Sequence, residues 1–345
     1  MTRSVTSTVE RTLGIDVTVT AVRDETSEAR TIVLDFPAGT AYRPGQFVTV
    51  RIPSERTGSV ARSYSLSTAP GVDAAPAITV KRTRDGYGSN WLCDNAEPGL
   101  TLHVIPPSGV FTPHSWAHPL YLFAAGSGVT PVMSILRSAL ESHDTTVTLF
   151  YANRDRESTI FAEAIDGLAE RHPGRLRVHH WLEADRGLPT TDAVGDVVAG
   201  AGDCEAFVCG PAPFMDLVEH TLRERGLHHD AIHVERYVSL TGDPFTLATH
   251  DDDDLQDQEV TVHIDGDVRT VRCGTDTVLL DALLASDVDA PYSCREGDCG
   301  SCVARLTAGD VDHGNGIALE PEDIDDGYLL TCQATPKGPV TIEFD

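Results

Sequence analysis

The sequence is poor in lysine and in positive charge, and it contains no long apolar run. Lysine occurs only at Lys81 and Lys337, and 26 basic residues stand against 53 acidic ones, which gives a formal net charge of −27 over 345 residues. Phosphate-binding surfaces need a basic face, so this balance argues against nucleic acid as the main partner. It also disfavours an anionic membrane surface. No apolar run is long enough for a membrane span, so none is predicted.

The N-terminal stretch MTRSVTSTVERTLGI also lacks the apolar core of a secretory signal. We therefore expect a cytoplasmic protein without a membrane partner, acting as a monomer. The negative charge is uneven: residues 1–247 carry a net −9, whereas residues 248–345 carry −18. An acidic segment of this kind is compatible with steering a basic partner and equally with a solvated face.

Three patterns follow one another along the chain. From about residue 12 to 113, short β-rich runs such as IDVTVTAV and GQFVTVRI are punctuated by Gly and Pro, which predicts an antiparallel β-barrel or sandwich. From 114 to 240, apolar strands such as LYLFAAG alternate with helical stretches such as PVMSILRSALES, which predicts a Rossmann-like α/β domain with a parallel sheet. From 258 to 345, a hairpin, a helix and a closing strand predict a small α+β domain.

Between the second and third patterns, residues 241–257 read TGDPFTLATHDDDDLQD and carry no periodic pattern. The four consecutive aspartates favour a flexible acidic linker. A site for a hard cation is the alternative interpretation of these aspartates.

The sharpest motif is a group of cysteines near the C-terminus. Cys294, Cys299, Cys302 and Cys332 have the spacing C-x4-C-x2-C-x29-C, which is typical of plant-type [2Fe–2S] clusters. Two irons need four thiolates, and glycines inside the loop permit the sharp bends by which one loop supplies three of them. The alternative is a four-cysteine zinc site, but such sites usually pair two C-x2-C motifs and only one is present here.

Flavin-type motifs lie in the first domain. Arg62-Ser-Tyr64-Ser65 opens the R-x-Y-S-x-S pattern of flavin reductases: a ring can cover the isoalloxazine, a guanidinium pairs with phosphate, and a hydroxyl orients the redox centre. Farther on, the turn GYGS leads into a predicted helix SNWLCD, whose N-terminus offers N–H groups to phosphate. Its G-x-x-S element, Gly86 to Ser89, favours the pyrophosphate of FAD over the single phosphate of FMN. Each motif alone is also compatible with ordinary exposed residues or a β-to-helix turn.

Nicotinamide-type motifs lie in the second domain. The turn AGSGVTP directly follows the strand LYLF, so the chain can pass close to a dinucleotide pyrophosphate at a helix start. Pro131 replaces the third glycine of the G-x-G-x-x-G fingerprint. Cys209 and Gly210 end a strand at the carboxyl edge of the sheet, where open α/β sheets bind ligands. The alternative for Cys209 is a buried small residue.

The preference between NADH and NADPH stays open. Arg154 and Arg156 follow the second strand of this domain and suit a 2′-phosphate, whereas Asp155 between them suits a 2′-hydroxyl.

In this order the motifs resemble the ferredoxin–NADP⁺ reductase superfamily with a C-terminal plant-type ferredoxin domain. More narrowly, they resemble the reductase components of 3-ketosteroid 9α-hydroxylase and phenylacetyl-CoA epoxidase. The likeness spans residues 12–345 and is carried by the strings YRPGQFVTV, RSYSLS, GYGSNWL, GSGVTPVMSIL, YANRDRESTIF, CGPAPFM, ERYVSL and CREGDCGSC. The resemblance implies an FAD-binding β-barrel at 12–113, an NAD(P)-binding α/β domain at 114–240, an acidic linker at 241–257 and a β-grasp [2Fe–2S] ferredoxin domain at 258–345.

The resemblance also implies roles for individual residues. The catalytic residues, which position the rings, are Ser65, Cys209 and Glu235, the last of them near the flavin edge. The residues that bind the two nucleotides are Arg62, Ser63, Tyr64, Ser65, Val80, Lys81, Gly86, Gly88, Ser89, Gly126, Gly128, Thr130, Arg154, Arg156, Cys209 and Gly210. The metal ligands are Cys294, Cys299, Cys302 and Cys332.

The expected activity is electron transfer from NADH or NADPH to FAD, then to the [2Fe–2S] cluster, then to a separate acceptor. The protein mainly stacks and orients the two rings, so no general base is assigned. The expected acceptor is an oxygenase: a Rieske hydroxylase, a di-iron epoxidase or a cytochrome P450. The alternatives are a non-enzymatic iron–sulfur sensor and a self-sufficient flavin oxidoreductase acting on a small molecule, although the sequence shows no further catalytic domain.

Overall fold

The computed structural model describes residues 10–248 and 258–344. The first domain contains seven strands and one helix, in the order β1 Glu10–Thr12, β2 Ile15–Thr26, β3 Ala29–Asp35, β4 Phe47–Ser54, β5 Gly58–Ser65, β6 Ala77–Lys81, α1 Tyr87–Asn95 and β7 Thr101–Ser108. Six of the strands form one antiparallel sheet in the order β5-β4-β7-β2-β3-β6. The sheet curls until Leu66, just after β5, forms a bridge with Ile78 of β6. This closure confirms the predicted barrel.

The second domain is a parallel sheet with helices between its strands. Its elements are β8 Leu120–Ala125, α2 Val129–Glu141, β9 Val147–Asn153, α3 Ala162–Arg171, β10 Leu176–Leu182, α4 Glu183–Arg186, α5 Thr191–Val197, β11 Glu205–Cys209, α6 Ala212–Glu224 and β12 Ile232–Glu235. The strand order is β10-β9-β8-β11-β12, and all the pairs are parallel. Strand β9, which follows β8 in the chain, pairs with β8 on one side, and β11 pairs with β8 on the other side. The carboxyl end of β8 is therefore the switch point at which such sheets bind nucleotides.

The third domain is a small mixed sheet covered by one helix. The elements that follow the second domain are β13 Thr246–Ala248, β14 Gln258–Ile264, β15 Asp267–Cys273, α7 Leu279–Ala285, β16 Val303–Ala308, β17 Val311–Asp312, α8 Pro321–Asp325, β18 Tyr328–Leu330, β19 Thr335–Pro336 and β20 Val340–Glu343. The sheet has the order β15-β14-β20-β16-β18. Strands β14 and β20 are parallel and the other pairs are antiparallel. This arrangement, with the apolar side of α7 packed on the sheet, confirms the predicted α+β domain.

The start of the expected linker is ordered and packed. Strand β13 pairs antiparallel with β1 at the other end of the chain. Phe245 and Leu247 are fully buried, and the free energy gained by burying two large apolar side chains offsets the loss of backbone freedom. The part of the predicted linker at 249–257, with its four aspartates, lies outside the described residues.

None of the helices in the described ranges combines the length and the apolar content that crossing a membrane requires.

Candidate functional site

The first group of predicted nucleotide-binding residues meets at the end of β5. A side-chain carbon on Gly88 would lie 2.8 Å from Cγ of Arg62 and 3.3 Å from the hydroxyl of Tyr64. The first turn of α1 thus packs directly on these two side chains, and glycine is required by the close approach. Burial raises the pKa of the Tyr64 hydroxyl. The structure therefore brings the R-x-Y-S strand and the glycine turn to one place.

The helix after the glycine turn begins earlier than the sequence suggests. It starts at Tyr87, so Gly88 and Ser89 lie in its first turn, and that turn contains no acidic side chain. The hydroxyl of Ser89 accepts a hydrogen bond from the backbone N–H of Thr83 at 3.1 Å, which fixes the preceding turn. The N-terminal N–H groups of a helix have no partner within the helix, so this end of α1 suits a pyrophosphate.

Two other residues of the predicted set face away from this place. The hydroxyl of Ser63 lies 2.9 Å from the hydroxyl of Thr49 on the neighbouring strand. Val80 is 1% exposed and belongs to the core of the barrel, so its side chain is not available to a ligand.

Lys81, at the end of β6, lies close to the second domain: its Nζ is 3.8 Å from the point that a side-chain carbon on Gly126 would occupy.

The second group of predicted residues lies at the switch point of the parallel sheet. A 3₁₀ turn over Gly126–Gly128 joins β8 to α2. A side-chain carbon on Gly128 would lie 2.1 Å from the carbonyl oxygen of Cys209, and one on Gly210 would lie 2.9 Å from Cβ of Ala125. These two glycines are required by packing between the loops, whereas Gly126, with φ of +53°, faces open space except for Lys81.

Cys209 and Glu235 are neighbours across the sheet; Cys209 is fully buried and Glu235 is half-buried. They are paired in register at the ends of β11 and β12. Burial is the main cause that raises the pKa of the Cys209 thiol, and burial raises the pKa of Glu235 to about 8. Both shifts favour the protonated, uncharged form of the side chain.

Tyr237, two residues after β12, is a site residue that the sequence reasoning missed. Its hydroxyl lies 3.1 Å from Oγ of Ser65 and 2.8 Å from Oγ1 of Thr130. It also hydrogen-bonds the thiol of Cys209. The residue is nevertheless 47% exposed. Its hydroxyl is therefore held by hydrogen bonds while part of its ring faces solvent. The only sequence signal was an aromatic residue inside the string ERYVSL.

The two arginines after β9 are both paired with carboxylates. Nη2 of Arg154 lies 2.8 Å from Oε2 of Glu28, which comes from the β2–β3 turn of the barrel. Nη2 of Arg156 lies 3.0 Å from Oδ2 of Asp166 in α3. Asp155 accepts a hydrogen bond from the N–H of Ser158 at 2.8 Å, so this carboxylate stabilises a local turn.

The four cysteines of the spacing motif come together as two pairs. The thiols of Cys294 and Cys299 are neighbours, and their interaction lowers the pKa of Cys294. The thiols of Cys302 and Cys332 are likewise neighbours, and their interaction lowers the pKa of Cys332. Two pairs of thiols suit two irons, because each iron takes two protein ligands.

The backbone of the cysteine loop also fits a cluster. The N–H of Glu296 donates to Sγ of Cys294 at 3.4 Å, and the backbone of Asp298 donates to the same sulfur. Gly297 and Gly300 have φ of +83° and +69°, in the left-handed region that glycine adopts without strain. A side-chain carbon on Gly297 would also lie 2.6 Å from the backbone of Gly316. The predicted sharp bends are present at both glycines.

The cysteine loop packs on the barrel. Cys294 belongs to a small buried cluster with Ala61, Ile105, Leu240 and Phe245. Ala61 precedes the R-x-Y-S motif directly in β5. The two predicted redox sites are therefore joined by one buried, largely apolar cluster.

Comparison with known families assigns each domain. The family described as oxidoreductase FAD-binding domain matches residues 16–112, the oxidoreductase NAD-binding domain matches residues 122–220, and the 2Fe-2S iron-sulfur cluster binding domain matches residues 262–337. These matches confirm the predicted FAD, nicotinamide nucleotide and [2Fe–2S] cofactors and exclude the zinc alternative.

Relatives match over almost the whole chain. The ferredoxin reductase component of 3-ketosteroid-9-alpha-monooxygenase from Rhodococcus rhodochrous is 51% identical, covering 96% of this chain and 97% of that protein. A component of the 1,2-phenylacetyl-CoA epoxidase of Escherichia coli K12 is 32% identical, covering 95% and 97%. The solved structure of phthalate dioxygenase reductase superposes with a TM-score of 0.57 at 24% identity, covering 96% and 98%, which supports the three-domain fold.

The resemblance predicted from the motifs is confirmed, and so is the reductase class of activity. The chain belongs to the family of ferredoxin reductase components of oxygenase systems, in which an FAD-binding, an NAD-binding and a [2Fe–2S] domain share one polypeptide.

Proposed function

We propose that this reductase takes a hydride from NADH or NADPH at the interface of its first two domains and delivers electrons singly, through the ferredoxin domain, to a separate oxygenase. The observation that carries the proposal is the buried cluster that contains both Cys294 of the cysteine loop and Ala61 of the barrel. It sets the cluster loop against the strand that bears Arg62, Tyr64 and Ser65. A relay between two redox groups needs such proximity.

Bound FAD supplies the conversion between hydride and single-electron chemistry, and the cluster supplies a one-electron carrier. The residues of the chain bind and orient these groups. The end of β5 and the first turn of α1 hold the flavin nucleotide, and the two loops at the switch point, around Gly126 and Gly210, hold the nicotinamide nucleotide. The hydroxyl of Ser65 lies where the two meet, since it shares Tyr237 with Thr130.

The neutral side chains around this meeting point suit hydride transfer. Burial raises the pKa of Cys209 and of Glu235, which favours the uncharged thiol and the protonated carboxyl. Uncharged side chains at this point add no stray charge beside the two rings. In this proposal Ser65, Cys209 and Glu235 position the rings, and none of them acts as a general base.

The partner-facing surface that we propose lies beside the cluster loop. The backbone N–H groups of Ile317 and Ala318 both donate to the carbonyl oxygen of Gly297 at 3.0 Å, and the side chain of Ile317 is 74% exposed. The same stretch carries exposed carboxylates at Asp312 and Glu320. An apolar centre with a charged rim is the usual composition of a protein interface, so the acceptor would present an apolar patch with a basic rim.

Among oxygenases, the oxygenase component of a 3-ketosteroid 9α-monooxygenase is the acceptor that we propose first. The support is the 51% identity over nearly the full chain to a reductase component of that name. The other oxygenase classes are outcomes of the test below. A cytoplasmic location and a monomeric state stay predictions.

The proposal is tested by an anaerobic visible titration of the purified protein with NADH and, separately, NADPH. We expect flavin bands and a broad iron–sulfur absorption that bleach together with at least one coenzyme, which also decides the coenzyme preference. Flavin that neither coenzyme reduces, or an iron–sulfur spectrum without flavin, would contradict the proposal and favour a sensor.

The docking surface is tested by turnover with candidate oxygenases at increasing salt. With the true acceptor, kcat/KM should fall as ionic strength rises, because charge steering is screened. Ile317→Ser should lower kcat/KM for that oxygenase and leave reduction of a small dye unchanged. A flat salt response together with unchanged Ile317→Ser turnover would remove this surface from the proposal.

A further inference from the structure

Glu296, in the cysteine loop, is the side chain that connects this loop most closely to the segment before β13. Its Oε1 accepts hydrogen bonds from the backbone N–H of Thr241 at 2.9 Å, from the Thr241 hydroxyl at 2.6 Å and from the N–H of Gly242 at 2.5 Å. Its Oε2 lies 3.2 Å from the same Thr241 N–H. A carboxylate that accepts several hydrogen bonds of this kind is a strong anchor, because each bond is assisted by the charge.

The segment that Glu296 anchors is itself attached to the barrel. The guanidinium of Arg62 donates to the carbonyl oxygen of Leu240 at 3.3 Å, and Arg51 lies 3.4 Å from the carboxylate of Asp243. Phe245 is fully buried in the cluster that also contains Cys294. One short stretch of chain is thus fixed to the flavin strands on one side and to the cysteine loop on the other.

A second contact joins the two domains directly and lies close to the first. The hydroxyls of Thr49 and Ser293 are 2.7 Å apart, and these residues are 0% and 1% exposed. Arg295 donates to the carbonyl oxygen of Thr246 at 2.6 Å. Glu296 adds a carboxylate to this junction, and its hydrogen bonds to Thr241 and Gly242 reach out of its own domain.

We propose that Glu296 is a positioning residue for electron transfer between the flavin and the cluster. Its hydrogen bonds to Thr241 and Gly242 hold the Cys294–Cys299 half of the cluster site against the barrel, and so set the rate of flavin-to-cluster transfer without taking part in hydride transfer. The inference rests on the proposed function. Its physical basis is that electron transfer slows steeply when the distance between two redox groups grows, whereas the hydrogen bonds of the Glu296 side chain are with Thr241 and Gly242 and involve none of the residues proposed to position the nicotinamide.

The test uses the full-length protein with both cofactors bound, and compares Glu296→Ala, Glu296→Gln and Asp289→Asn. Asp289 is the matched control, because it is an exposed carboxylate in the segment that leads into the cysteine loop, and its change removes one negative charge from the same domain. In anaerobic stopped-flow experiments with NADH, Glu296→Ala should slow cluster reduction at least severalfold while flavin reduction stays unchanged. Glu296→Gln should fall between Glu296→Ala and the unmodified protein, because its amide oxygen still accepts. Asp289→Asn should leave both rates near those of the unmodified protein.

Hydrogen exchange gives a readout independent of activity. The amides of residues 241–248 should exchange faster in Glu296→Ala than in Asp289→Asn, whereas the amides of β8 should not change. Thr241→Val removes the hydroxyl that donates to Glu296 and leaves the cysteine loop unchanged. This variant should therefore reproduce part of the slower cluster reduction with an unchanged iron content. If Glu296→Ala fails to fold, Thr241→Val still tests the inference.

Three results would overturn the inference: equal slowing of flavin and cluster reduction, unchanged cluster reduction in both Glu296→Ala and Thr241→Val, or an equal effect of Asp289→Asn. If the unmodified protein does not reduce its flavin with either coenzyme, the proposed function fails. If it reduces both groups and the Glu296 variants match it, only the inference fails.

Discussion

The hydroxyl of Tyr237 lies 3.1 Å from Oγ of Ser65, although 172 residues separate them in the chain. The same hydroxyl reaches Thr130 in the second domain at 2.8 Å. One phenol thus connects a predicted flavin residue with a predicted nicotinamide residue. We expect the two cofactor rings to meet beside these residues, and we therefore expect a bound coenzyme to displace the ring of Tyr237.

Replacing Tyr237 should therefore tighten coenzyme binding. Tyr237→Ala removes the competing ring, and the dissociation constant for NAD⁺ should fall, because less binding free energy is spent on displacing a side chain. Tyr237→Phe keeps the ring but loses hydrogen bonds of about 1 kcal/mol each, so it should have a smaller effect. Difference spectroscopy of the oxidised protein measures both constants. Weaker binding in Tyr237→Ala would mean that the ring holds the coenzyme instead.

The cysteine pairs predict which thiols the cluster needs. Cys302→Ser should abolish the iron–sulfur absorption and most of the bound iron, because its partner Cys332 cannot hold the second iron alone. Reduction of FAD by coenzyme should survive. Cys204→Ser is the control: Cys204 is buried too but lies beside β11, and its iron content should not change. Iron retained in Cys302→Ser would show that the ligand set is wrong.

Coenzyme preference should respond to Glu28. This carboxylate neutralises Arg154 and lies 4.0 Å from Nζ of Lys81. Glu28→Gln frees both cations, so the ratio of kcat/KM for NADPH to that for NADH should rise about two- to fivefold, in keeping with a surface ion pair worth up to about 1 kcal/mol. Steady-state dye reduction measures the ratio.

Two further variants sharpen the Glu28 test. Asp166→Asn frees Arg156 in the same way. Comparing the two variants shows which of the two arginines binds the 2′-phosphate of NADPH. Glu25→Gln, in the same hairpin, is the control and should leave the ratio unchanged. An unchanged ratio in both Glu28→Gln and Asp166→Asn would place the 2′ site elsewhere.

Glu235 should make stability depend on pH. Burial raises its pKa from 4.5 to about 8, so between these values the folded protein keeps a proton that the unfolded chain releases. Its contribution to the free energy of unfolding therefore falls as pH rises from about 4.5 to about 8. Glu235→Gln cannot titrate, so over this range the variant should gain stability relative to the unmodified protein. Urea unfolding at several pH values measures the difference.

Glu205 is a control, because its pKa is shifted in the opposite direction to that of Glu235. Burial by itself would raise its pKa, but hydrogen bonds from His233 and from the backbone of His114 and Ser115 lower it below 4.5. Its stabilising contribution is present above pH 4.5 and is lost as the pH falls through the lowered value. Glu205→Gln should thus cost stability at neutral pH and less in acid. A pH-independent difference for Glu235→Gln would contradict the prediction made for Glu235.

Much of the fold could be predicted because its signals are local. The alternation of apolar residues defines the barrel strands, the order of strands and helices defines the parallel sheet, and a turn of glycines marks its switch point. The ligand set of the cluster is similarly local, since Cys294, Cys299 and Cys302 share one loop and only Cys332 is distant.

The tertiary structure decided the features that depend on contacts between distant segments. The position of Tyr237 follows from the end of β12 meeting both nucleotide sites, and the orientation of Ser63 follows from pairing with Thr49. Phe245 sits in a stretch without periodicity and is buried only because the barrel and the cysteine loop close around it. The sequence by itself determined the three-domain fold class and its cofactors, and it predicted the cluster ligands, since short-range patterns encode them. The packing of one domain on another decided which side chains meet between those cofactors, because that depends on surfaces formed only after each domain has folded.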